Sequence, residues 1–162
     1  MTTLTNLTKK NKIRAAIFGV LSVIWTGFII SMSTQNAEKS TGVSRGILKS
    51  ILLTIYKITN IAISPDTVHN LFRKLAHFTE FFILGLFVVL FLKSINKNKL
   101  FAVIYGFIVA FSDELTQLFM GGGRSMQFSD MLIDISGVLF AVLIIYFISK
   151  IKCYAMPKSF IK

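Results

Sequence analysis

Side chains that could carry out chemistry are concentrated in three short segments of the chain. The segments contain Arg73, His77 and Glu80; Asp113, Glu114 and Gln117; and Arg124, Asp130 and Asp134. An imidazole and a carboxylate can act as general base and general acid, and a guanidinium can bind a phosphate or carboxylate through two parallel N–H bonds. These residue types predict a ligand-binding site for a polar headgroup. The candidates for catalysis, should a reaction occur, are His77, Glu80, Asp113 and Glu114.

The same residues allow two other interpretations. In the first, the two arginines form ion pairs with the carboxylates and hold helices together. In the second, His77, Glu80 and the Asp113–Glu114 pair bind a metal ion. We rank the metal site last, because one histidine with oxygen ligands is weakly specific and a neighbouring arginine competes with a cation. The prediction is therefore a site without a metal or cofactor.

These residues must be positioned by helices that cross a membrane. Hydrophobic residues make up 54% of the chain and charged residues 15%, whereas a soluble domain has about 25% charged residues. A helix needs about 20 apolar residues to span a bilayer. Four stretches without a proline qualify, at about 13–31, 75–92, 100–120 and 131–149. Because lipid offers the backbone no hydrogen-bond partner, these stretches must be helical. We predict an all-α membrane protein with four transmembrane helices in a single domain, 1–162.

Helical periodicity places the polar residues of two spans on narrow stripes. At about 100° per residue, the stripes contain Arg73, His77, Glu80 and Leu84 on the second helix and Asp130, Asp134, Gly137 and Ala141 on the fourth. An ionisable side chain inside a span costs on the order of 3 kcal/mol or more, so such stripes should face the bundle interior. The small residues favour close helix–helix packing.

The distribution of charge predicts the orientation. The N-terminus, the connection between the second and third spans, and the C-terminus contain basic residues and no acidic ones. By the positive-inside rule, both termini are cytoplasmic, and the polar residues lie on the extracytoplasmic side of the membrane. The net charge of +11 is then explained by topology and anionic lipid, and a nucleic-acid partner is not expected.

The long segment after the first span contains a second helical pattern. Apolar residues recur at helical spacing from Val43 to Ile55, and this pattern predicts an extracytoplasmic amphipathic helix at about 42–60. Such a helix could lie in the membrane interface or pack over the outer mouth of the bundle. Ser64-Pro65-Asp66 is typical of a turn. Ser33 and Gln35, at the end of the first span, are expected to cap that helix or reach the site.

The polar segments resemble the VanZ-like family of small bacterial membrane proteins. The resemblance rests on the segments 73–81 (RKLAHFTEF), 113–117 (DELTQ), Gly123-Arg124, Asp130 with Gly137, and Ser33-Thr34-Gln35. Each motif alone is weak, but together they occur in the same order and each lies at the outer end of a span. The resemblance implies a connection to resistance against teicoplanin, a lipid-tailed glycopeptide that acts outside the membrane. It implies no particular reaction.

The leading functional hypothesis is an envelope protein that binds or modifies an amphiphile in the outer leaflet. Its expected partners are membrane lipids, a lipid-linked cell-wall precursor or a lipoglycopeptide. One alternative is a small proton- or ion-coupled transporter that uses the buried carboxylates as a relay. Another is a non-enzymatic scaffold or regulator. The sequence leaves the oligomeric state open.

Overall fold

The computed structural model describes residues 7–34, 50, 53–54, 56–57, 64–120 and 127–155. It contains four long helices: α1 (Lys9–Ser33), α2 (Pro65–Ser94), α3 (Leu100–Met120) and α4 (Phe128–Ala155). Each is long and apolar enough to cross a membrane, and the described ranges contain no strand. The prediction of an all-α membrane protein with four transmembrane helices is confirmed.

The helix α2 begins well before the apolar stretch that predicted it. Ser64 occupies the N-cap position, Pro65 is at the start of the helix and Asp66 lies in its first turn. Proline is favoured there because its fixed φ suits the first turn, and a carboxylate interacts favourably with the helix dipole. The segment interpreted above as a turn is therefore a helix start, and Arg73 lies within α2.

The helix α2 is the centre of the bundle, since it contacts the three other helices and packs most extensively against α4. Two glycines allow this approach. A Cβ atom at Gly137 would lie 2.5 Å from the carbonyl oxygen of Phe78, and one at Gly85 would lie 2.9 Å from Cβ of Ala141. The small residues predicted to favour close packing thus lie at the α2–α4 contact.

Hydrogen bonds between helices cross the apolar part of the core. Trp25 Nε1 of α1 donates to the Glu80 carbonyl oxygen of α2 at 2.9 Å, and Thr26 Oγ1 lies 2.9 Å from Tyr105 Oη of α3. Large apolar side chains such as Val23 remain exposed on the outer faces, as expected where lipid is the solvent. Polar bonds of this kind supplement packing where lipid gives no hydrophobic drive.

The segment between α1 and α2 lies largely outside the described residues. Those that are described between 50 and 57 are helical and exposed. The amphipathic helix at about 42–60 therefore stays a prediction. The shorter connection from α2 to α3 turns at Asn96, whose φ is 54°, a left-handed conformation that asparagine adopts more readily than most residues.

Candidate functional site

The acidic residues that the structure describes all lie at one end of the bundle. At this end, here called the polar end, α1 and α3 terminate and α2 and α4 begin. The opposite end, here called the basic end, contains Lys93, Lys97, Lys99 and Lys150. The described polar side chains of the three predicted segments are thereby brought to one region.

An inner cluster forms around His77 and contains Ser33, His77, Asp113, Gln117 and Asp134. The Nδ1 atom of His77 lies 3.1 Å from Asp134 Oδ1 and 4.0 Å from Asp113 Oδ2. Gln117 Nε2 donates to Asp113 Oδ2 at 2.8 Å, and Ser33 Oγ donates to Asp113 Oδ1. All four helices contribute to this cluster.

The inner cluster is almost completely buried. Asp113 is 1% exposed and Asp134 0% exposed. Asp134 Oδ2 has no hydrogen-bond partner among the described residues. Because a buried polar atom usually has a partner, this oxygen marks a place where a hydrogen-bond donor or a cation could bind.

A rim cluster lies one helical turn, roughly 6 Å, nearer to the helix ends on α2 and α4. It contains Arg73, Glu114, Gln127 and Asp130. Arg73 Nη2 donates to Asp130 Oδ2 at 2.7 Å and to Gln127 Oε1 at 2.8 Å. The backbone N–H of Gln127 donates to Glu114 Oε2 at 2.7 Å. Gln127 therefore connects the arginine of α2 to the carboxylate of α3 at the start of α4.

The rim cluster also contains unpaired polar atoms. Arg73 Nε and Glu114 Oε1 are buried and have no hydrogen-bond partner in the described part of the chain. Arg73 holds Asp130 through one nitrogen, so this ion pair is not the two-bond fork that a guanidinium can form. An unsatisfied donor and an unsatisfied acceptor remain for a ligand.

Among the described residues, Glu80 is the predicted site residue that belongs to neither cluster. The carboxylate of Glu80 is half-buried and interacts electrostatically with His77, Asp113 and Asp134. Arg124 lies outside the described residues, as does Gln35. The other predicted site residues belong to the inner or the rim cluster, while their role in binding stays a prediction.

Sequence reasoning missed Gln127 as a site residue. Its type gives little signal, and its importance comes from its position directly before α4, where both its side chain and its backbone N–H are available. The metal-ligand set that was considered from sequence, and ranked last, also differs from the geometry. The atoms close enough to share an ion belong to His77, Asp113 and Asp134, whereas the set considered from sequence combined His77 with Glu80, Asp113 and Glu114.

Comparison with protein-family models gives a match to VanZ/LLP1 over residues 18–149. The chain belongs to the VanZ/LLP1 family. No curated protein and no solved structure matches it. The VanZ/LLP1 match covers both clusters and all the predicted site residues, Arg124 included. Together with the four helices, it supports a multi-pass membrane protein of the VanZ/LLP1 type.

Proposed function

We propose that this VanZ/LLP1 protein binds the polar headgroup of an amphiphile at the extracytoplasmic leaflet of the bacterial plasma membrane. The amphiphile is a membrane lipid, a lipid-linked cell-wall precursor or a lipoglycopeptide, and binding contributes to resistance against teicoplanin. The proposal requires binding and no reaction. Should a chemical step follow, the imidazole of His77 is the group best placed for proton transfer.

The observation that carries the proposal is the unpaired donor and acceptor of the rim cluster. A buried polar group without a partner costs about 1–3 kcal/mol. A headgroup that carries both an acceptor and a donor, such as a phosphate with an amine or hydroxyl, would pair with Arg73 Nε and Glu114 Oε1. Binding would then remove the free-energy cost of these two unpaired groups in the free protein.

The surface beside the rim cluster suits the apolar part of such a ligand. Leu71, Phe72 and Leu75 of α2 are exposed next to Arg73, and Phe128 and Leu132 of α4 are exposed next to Asp130. In a bilayer these side chains meet acyl chains. An amphiphile could place its tail against them while its headgroup reaches the rim cluster.

The membrane orientation in this proposal is inferred from the lysines of the basic end. Lys97 and Lys99 follow α2 there, Lys150 lies near the end of α4, and the described residues at that end include no acid. Basic residues next to spans favour the cytoplasmic side, so the polar end is extracytoplasmic and both termini are cytoplasmic. The polar end would then lie at the extracytoplasmic leaflet, where a lipid-linked wall precursor or a lipoglycopeptide could reach it.

The packing below the inner cluster favours binding over ion-coupled transport. Phe81, Leu84 and Val138 are buried there, and the described core toward the basic end contains no chain of ionisable groups. A proton relay needs such groups at intervals through the membrane.

The test uses conservative variants of the rim cluster in a teicoplanin-susceptible bacterial host. Arg73→Lys keeps the positive charge beside Asp130 and removes the Nε donor, and Glu114→Gln removes the charge while keeping an acceptor for Gln127. The matched controls are Lys74→Arg and Asp66→Asn, because both residues are exposed on α2. Growth inhibition by teicoplanin is measured for each variant, together with ligand-induced thermal shifts of purified protein in nanodiscs.

We expect the wild type and both controls to raise the inhibitory concentration. Loss of one charge-assisted hydrogen bond should weaken headgroup binding by about tenfold to a hundredfold in the rim variants. A non-enzymatic scaffold would tolerate Arg73→Lys. If both rim variants protect the host as well as wild type and bind the same headgroups, the proposal is wrong.

A further inference from the structure

We infer that the inner cluster is a binding site for a divalent transition cation, with His77 Nδ1 and carboxylate oxygens of Asp113 and Asp134 as its ligands. This goes beyond the proposed headgroup binding and does not depend on it. The three residues come from α2, α3 and α4, so a bound cation would link three helices at one point.

The distances suit a first-row divalent ion. The three candidate ligand atoms lie within 4.8 Å of one another, with His77 Nδ1 3.1 Å from Asp134 Oδ1 and 4.0 Å from Asp113 Oδ2. Zinc binds nitrogen and oxygen at roughly 2.1 Å, which places neighbouring ligands roughly 3 to 3.5 Å apart. Small side-chain movements would bring all three into this range.

The charge of the cluster calls for a cation. Asp113 and Asp134 are buried side by side and bring two negative charges when ionised, while the imidazole brings at most one positive charge. Arg73, the arginine of α2, is engaged with Asp130 and Gln127 in the rim cluster. The objection that an arginine competes for the site therefore does not apply to this arginine.

A second observation points to a missing ligand independently of the carboxylate charge. Asp134 Oδ2 is fully buried and unpaired among the described residues. A cation at the cluster would give this carboxylate a second interaction. It would also bind the lone pair of His77 Nδ1. Without a cation, this nitrogen and the Asp134 carboxylate must share a proton.

The surroundings of Asp113 resemble the outer shell of a metal site. Ser33 Oγ and Gln117 Nε2 donate to its two carboxylate oxygens. Such bonds fix the orientation of a ligating carboxylate, and their loss typically weakens metal affinity about 10- to 100-fold.

Three protein ligands of mixed nitrogen and oxygen type also leave coordination positions open, as in zinc sites that bind a further molecule. The donor set without cysteine is compatible with Zn²⁺, Mn²⁺ and Co²⁺.

The experiment measures metal binding by the full chain, purified in detergent with an affinity tag that contains no histidine. After treatment with a chelator, the protein is titrated with Zn²⁺ and its metal content is determined by mass spectrometry. Co²⁺ serves as the spectroscopic probe, because its d–d absorption reports the ligand geometry. The variants are His77→Gln, Asp134→Asn and Ser33→Ala. His69→Gln is the matched histidine control and Asp66→Asn the carboxylate control, both on α2.

We expect stoichiometric Zn²⁺ in the wild type and in both controls, with at least about tenfold weaker binding in His77→Gln, Asp134→Asn and Ser33→Ala. Size-exclusion profiles show whether the variants are folded. The Co²⁺ titration of the wild type tests the site independently of the variants. If the d–d absorption does not change on titration, the proposed site is wrong. Equal binding by wild type and His77→Gln also overturns it.

Discussion

The two ends of the bundle carry opposite charges and hold them in different ways. At the basic end, Lys93 is exposed and donates to Ser149 Oγ at 2.8 Å. Lys99 and Lys150 lie 5.6 Å and 5.9 Å from the centre of the Tyr146 ring. At the polar end, by contrast, Asp130 and Asp134 are buried and make short contacts with basic side chains of another helix.

The difference indicates which charges organise the structure. Exposed lysines are solvated by water or lipid headgroups whether or not they find a partner, so they set the orientation of the chain with little effect on packing. A buried carboxylate has no such solvent and needs a partner within the bundle. Sensitivity to substitution should therefore be concentrated at the polar end.

The strongest test of this difference is Arg73→Ala. It leaves Asp130 buried without its positive partner, which should lower the free energy of unfolding by about 3 kcal/mol, the low end for a buried pair because Arg73 is partly exposed. Thermal unfolding in detergent measures the effect. Adding Asp130→Ala to Arg73→Ala should restore much of the loss, and Lys74→Ala should change little. Equal melting temperatures for Arg73→Ala and Lys74→Ala would contradict the role of the ion pair.

A somewhat smaller effect is expected from Gly137→Ala, which tests the packing that brings the buried charges together. The added Cβ would lie 2.5 Å from the Phe78 carbonyl and 2.9 Å from the Phe82 backbone nitrogen, and overpacking of this kind costs about 1–3 kcal/mol. The matched control is Gly27→Ala, where nothing lies within 4 Å and the helix should gain about 0.5–1 kcal/mol. Chemical unfolding of both variants gives the comparison, and equal stabilities would show that α2 and α4 do not need this close approach.

The sequence predicted the number of helices and the faces of α2 and α4, because apolar length and a period of 3.6 residues are local properties. Gly137 and Ala141 were recognised as packing residues for the same reason. The pairing of charges was not predictable, since it depends on how the helices are rotated and how closely they approach. His77 meets Asp134 across the α2–α4 contact, and no spacing along the chain indicates that.

The start of α2 and the role of Gln127 show the same limit. Ser64-Pro65-Asp66 is compatible with a turn and with a helix N-terminus, and only the continuation of the helix distinguishes the two. Gln127 gains its partners because α2, α3 and α4 meet where it stands. Both outcomes follow from tertiary contacts, which a single sequence does not display.

Gln127→Ala should have a moderate effect within the rim cluster. The substitution removes the acceptor for Arg73 Nη2 and keeps the backbone N–H that donates to Glu114. A hydrogen bond to a charged group contributes about 1.5–3 kcal/mol, and partial exposure of Gln127 places the expected loss at about 1 kcal/mol. Thermal unfolding with Arg73→Ala and the double variant tests the coupling. Additive losses would mean that the two side chains act independently.

The smallest effect is expected for Lys93→Ala, at the opposite end of the helix that carries Arg73. Lys93 is exposed and its partner Ser149 is neutral, so the change in unfolding free energy should stay within about 0.5 kcal/mol. The same thermal unfolding assay as for Arg73→Ala makes the two basic residues of α2 directly comparable. Because both are cations on one helix, a difference between them must come from burial and pairing. A loss at Lys93 as large as that at Arg73 would mean that charge at a helix end, wherever it lies, stabilises the bundle, and the contrast between the two ends would disappear.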